Sequence, residues 1–124
     1  MNIAHSEWEI EFYEKRNGRC PAEDFLDSLS HEEFARMDRQ IGRLRRFGPG
    51  LQRPDAAYLG DKIWELRARW HTVRMRLLYW RDRHKFIVSH GGIRKKSSAV
   101  PRREIDRAID YRDDYFARKE EGGA

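Results

Sequence analysis

Between Trp64 and Trp80 the chain reads WELRARWHTVRMRLLYW, and apolar and charged side chains alternate on both sides of His71-Thr72. Alternation with a period of two sends successive side chains to opposite faces of a strand. Two such runs meeting at a short polar break predict a β-hairpin. In the first run Trp64, Leu66, Ala68 and Trp70 share a face, and Glu65, Arg67 and Arg69 share the other. In the second, Arg74 and Arg76 lie opposite Val73, Met75, Leu77 and Tyr79. The hairpin therefore places four guanidinium groups on a sheet.

The remaining elements fall around it. Trp8, Ile10 and Phe12 alternate with Glu9, Glu11 and Tyr13, which predicts a first strand near residues 7–14. After the turn KRNGRC, Pro21 suits the first position of a helix carrying Phe25, Leu26 and Leu29. Ser30 and Glu33 make a capping box ahead of Phe34, Met37, Ile41 and Leu44, whose spacing of three and four predicts a helix as far as Phe47. Gly48-Pro49 stops it. Residues 49–61 read as a loop. A three-stranded antiparallel meander follows at about 62–70, 73–80 and 85–91, then the basic loop HGGIRKKSSAV. Pro101 opens a last helix bearing Ile105, Ala108, Ile109, Tyr115 and Phe116. The expected fold is α+β: an N-terminal strand, a helical hairpin covering the sheet, the meander and a C-terminal helix. A single domain spans residues 1–119, with 120–124 a disordered tail.

Charge is unevenly distributed. The 124 residues carry a net +5, yet residues 67–103 hold 12 Lys/Arg against one acid, Asp82. A block this basic within predicted strands points to a polyanion, nucleic acid foremost. Cations converging on one face repel unless a polyanion lies between them, and guanidinium forks match phosphate oxygens. Such a face can bind a phosphodiester, or stabilise the charge that develops when one is cleaved.

Other chemistries find less support. His5, His31, His71, His84 and His90 show no ligand spacing with one another or with Cys20, so no metal or other cofactor is expected. HGGIRKKS lacks the frame of a phosphate-binding loop. Cys20 has no partner for an internal disulfide and reads as a bystander in a reducing cytoplasm. No apolar run approaches a membrane span, and the acidic start with Glu7, Glu9 and Glu11 does not read as an export signal.

The order of elements, together with LGDKIWELRARW, RMRLLYW, HGGIRKKS and PRREIDRAIDYRDDY, resembles the HigB-like branch of the RelE/ParE toxin superfamily. These are toxins of type II toxin–antitoxin modules, many of them phage-derived. The likeness runs from WEIEFY and CPAEDFLDSL to the final helix. It implies the RelE-like fold and a ribosome-dependent, metal-independent endoribonuclease that cuts mRNA. In that mechanism the ribose 2′-hydroxyl attacks the adjacent phosphate and leaves a 2′,3′-cyclic phosphate. By resemblance, the family's basic pair in the first meander strand falls on Arg67 and Arg69, its arginine in the next strand on Arg76, and the basic residue after the last strand on Lys95 or Lys96. Arg74, Arg94 and His71 would hold RNA. Arginine does not give up its proton, so a base would come from Lys95, Lys96, His90 or His71. The implied partners are the ribosome with its mRNA and an antitoxin, expected to be a helix-turn-helix protein from the neighbouring gene. Two alternatives belong to other classes: a ParE-like gyrase inhibitor acting by binding, and a nucleic-acid-binding domain without catalysis.

Overall fold

The computed structural model describes residues 7–94 and 99–122. In chain order it contains β1 (Glu9–Phe12), α1 (Pro21–Asp27), α2 (His31–Phe47), a 3-10 turn at Gly48–Gly50, β2 (Ala56–Gly60), β3 (Ile63–Trp70), β4 (Val73–Asp82), β5 (Lys85–Arg94) and α3 (Arg102–Gly122). One five-stranded sheet runs in the order β1-β5-β4-β3-β2. β1 joins β5 in parallel, and the other pairings are antiparallel. The expected hairpin forms as β3 and β4, with His71 taking the positive φ of 52° that its turn needs. The capping box forms as well: Glu33 N–H donates to Ser30 Oγ at 3.2 Å and Ser30 N–H to Glu33 Oε1 at 2.8 Å.

Four expectations need correction. The stretch 49–61 is not all loop, because Ala56–Gly60 pairs with β3 and makes the meander four-stranded. Nothing in Ala-Ala-Tyr-Leu-Gly alternates clearly, so cross-strand pairing makes this strand, not its own pattern. β4 continues past Trp80 to Asp82. β5 runs on through His90-Gly91-Gly92-Ile93 to Arg94, where a loop was expected, and lies opposite Arg74 to Leu78. Gly91 permits this: a Cβ there would stand 2.4 Å from Phe25 Cδ2 of α1 and 2.7 Å from the Arg76 carbonyl oxygen. Finally, α3 extends to Gly122 instead of ending in a loose tail at 120. Its last turns are tied down by Arg16, which bonds both Asp114 and Glu121, and by Lys119 on Asp82.

The sheet is covered on both faces. Towards α1 and α2 it buries Leu66, Met75, Leu77, Tyr79, Phe86 and Val88 with Met37, Ile41 and Leu44. Towards α3 it buries Ile63, Leu78, Trp80 and Ile87 with Ile105, Ala108 and Tyr115. The apolar part of the α3 face ends at Leu78. Beyond it, towards the β3–β4 turn, the same face carries the arginines.

Candidate nucleic-acid interface

Strand register sorts the basic face into rungs. Arg69, Arg74 and Arg94 lie side by side across β3, β4 and β5, and the next rung holds Arg67, Arg76 and Gly92. Glu65, Leu78 and His90 follow, where the basic half of the face meets the apolar half. Directly opposed like charges destabilise a sheet, so this arrangement needs a counter-charge. Part of it is internal. Glu65 is fully buried, and its Oε1 accepts a hydrogen bond from Arg67 Nε at 2.8 Å while its Oε2 lies 3.7 Å from Arg94 Nε. Arg69 is exposed and Arg74 half-buried, and among the described residues neither forms an ion pair.

Arg76 is the most enclosed cation of the set, 8% exposed. Gly92 beside it leaves its guanidinium uncrowded, since even an added Cβ would lie 3.7 Å from Nη2. Burial draws Arg76 below its ordinary pKa, and Glu65 and Glu104 oppose that at longer range. Even lowered, an arginine stays protonated near neutrality. Arg76 is therefore a fixed, partly dehydrated positive charge.

His90 is 4% exposed, with both ring nitrogens engaged: Nδ1 with Ser89 Oγ at 2.7 Å and Nε2 with Glu104 Oε1 at 2.9 Å. Burial pushes its pKa down, outweighing the pull of Glu104. The ring is thus neutral at pH 7, with Nε2–H donating to Glu104 and Nδ1 accepting from Ser89. Burial, the largest single influence, would raise the Glu104 carboxyl, but the bond from His90 and the nearby charges of Arg107 and Arg76 together outweigh it and hold Glu104 below the usual carboxylate range. The pair fixes the start of α3 to β5.

A cleft of about 540 Å³ opens where β3 runs past the end of its pairing with β2. Arg67, Arg69, Arg74 and Arg94 line it from the sheet, and Arg36, Arg39 and Arg43 from α2. Arg36 also lies 4.7 Å over the Trp70 ring, and Arg43 pairs with Asp55 at 3.1 Å. Gln40 locks this side of the cleft by donating to the Arg67 carbonyl oxygen at 2.7 Å and to Asp55 at 3.0 Å. The expected set is thus divided. Arg67, Arg69, Arg74 and Arg94 share the cleft, and Arg76 and His90 lie further along the same face. His71 sits exposed in its turn, edge-on to Trp70, and does not line the cleft. Lys95 and Lys96 lie outside the described residues.

The α2 arginines were not anticipated, although Arg36, Arg39 and Arg43 recur at the three-and-four spacing that defines one helix face. Glu104 was likewise missed, and Glu65 was seen only as a neighbour of Arg67. No signal in the sequence says which acid a sheet will bury.

Comparison with known families decides the kinship: the model of the phage-derived Gp49-like proteins (DUF891) matches residues 24–113. The chain belongs to the Gp49-like family. That family is part of the RelE/HigB-like group of toxin–antitoxin toxins, which implies a cognate antitoxin as partner. No curated protein matches the chain. In this Gp49-like protein the match covers α2, the whole meander and the first half of α3. Both walls of the cleft lie within it. Among the described residues no helix is long and apolar enough to cross a membrane.

Proposed function

We propose that this Gp49-like protein is the toxin of a type II module with a RelE-like fold, and that it cuts mRNA in the cytoplasm on the ribosome. One observation carries the reading: two adjacent rungs of arginines, in register across three strands, bear more positive charge than the buried acids beneath them can answer. An RNA phosphodiester supplies the missing charge. Arg69, Arg74 and the α2 arginines grip the backbone, and Arg67 and Arg76 face the scissile phosphate. The 2′-oxygen attacks phosphorus, the P–O5′ bond breaks, and the departing 5′-oxygen takes a proton from water, so that a 2′,3′-cyclic phosphate and a 5′-hydroxyl result. Arg76 meets the charge that grows on the non-bridging oxygens, where a dehydrated cation counts most. The 2′-hydroxyl proton passes to a base. His90 has both nitrogens occupied and His71 stands outside the cleft, which leaves Lys95 and Lys96 in the segment after Arg94.

The test is a translating extract programmed with one defined mRNA, with breaks mapped by primer extension. Discrete cuts that require ribosomes, and that fall about 100-fold or more with Arg76→Ala, are the expected result. Intact mRNA with blocked supercoiling by gyrase would replace this reading with inhibition by binding.

A further inference from the structure

α2 has a second stripe. Phe34, Asp38, Ile41 and Arg45 lie on the side of the helix turned away from the arginine cleft, and with α1 and β1 they line a separate groove of about 480 Å³. Its floor is apolar: Ile10 and Phe12 from β1, Leu26 from α1 and Ile41 from α2, with Phe34 standing 41% exposed at the lip. Its rim is acidic, formed by Glu14, Glu23, Asp27 and Asp38, with Arg45 the one cation of the lining. Among the described residues none of these four carboxylates forms an ion pair, although the chain carries 26 Lys and Arg to choose from. An exposed phenylalanine over an apolar trough marks a contact surface, and the rim sets its sign. Acidic and apolar segments are repelled or desolvated without return, and polyanions are excluded. What fits is an amphipathic helix that presents two or three apolar side chains to the floor and lysines or arginines to the rim.

We propose that the groove between β1, α1 and α2 seats a basic amphipathic helix of the cognate antitoxin. This rests on the family's implied partner and not on nuclease chemistry. The two stripes of α2 face different ways, so the docked helix leaves the arginine cleft open.

Two synthetic helices with the same leucine spacing, one flanked by lysines and the other by glutamates, are titrated by fluorescence anisotropy against the full chain. The product of the adjacent gene serves as competitor. The lysine helix is expected to bind at least tenfold tighter than the glutamate helix. Asp38→Lys combined with Glu23→Lys should remove that preference, Phe34→Ser should weaken binding, and the antitoxin should displace the peptide. All three residues are at the surface, so the fold survives, and ribosome-dependent cutting by the variants stays at its original level. Equal binding of both helices, or indifference to the charge reversals, would overturn the groove as a selective seat. Peptide binding that the antitoxin does not displace would overturn the choice of partner. Loss of cutting in every protein, with peptide binding intact, would count against the nuclease reading alone.

Discussion

A methyl group at Gly91 would meet Phe25, Leu77 and the Arg76 carbonyl oxygen, all within 2.7 Å. The phenyl ring can turn aside, but the backbone oxygen cannot. Gly91→Ala should therefore cost about 1–3 kcal/mol, read as a lower urea midpoint, and should disturb Arg76 at the same time. His90 makes a prediction of another kind. The folded protein keeps its imidazole neutral, while in the unfolded chain the ring titrates near its ordinary 6.5. Between the depressed folded value and 6.5 the unfolded state binds more protons, so stability falls as pH drops through that window and is fully present above it. The linked Glu104 carboxyl contributes in the same direction, but only below its ordinary 4.5. Urea midpoints from pH 7 to pH 5 should decline in the parent protein and stay flatter in His90→Gln. Equal slopes would show that His90 is not held neutral by the fold.

At the scale of elements, local patterns were readable and paired ones were not. The Ser30 box depends on residues three apart, so the sequence contains the whole of it. Ser30→Ala should cost about 1 kcal/mol by leaving the Glu33 amide without its acceptor, and thermal or urea unfolding would show it. The β3–β4 hairpin was legible for a similar reason. Its alternation also put Arg67, Arg69, Arg74 and Arg76 on a common face before any register was known. β2 was not legible, because Ala56 and Ala57 become a strand only when β3 presents an edge to them. The extension of β5 to Arg94 depends on Phe25, some 66 positions away in sequence, fitting against a glycine. The α2 arginines were visible as a stripe, but which stripe of a helix turns towards which edge of a sheet is decided by tertiary packing.

Across the whole molecule, charge is sorted by place. The cleft gathers arginines from β3, β4, β5 and α2, while carboxylates ring the groove on the far side of the same helix. Binding of single-stranded RNA should then weaken steeply with salt, as phosphate contacts release counterions. Arg69→Gln and Arg74→Gln should each flatten the plot of log affinity against log salt by about 0.7, the share of one phosphate contact. A slope untouched by either change would mean that RNA lies elsewhere. The pairing of β1 with β5 has a different consequence, in the order of synthesis. The N-terminal strand leaves the ribosome first but finds its place only when Lys85 to Val88 arrive. The rungs themselves need Arg94, and His90 needs Glu104 from the start of α3. A nascent chain therefore displays no assembled basic face until Arg94 and Glu104 have both emerged.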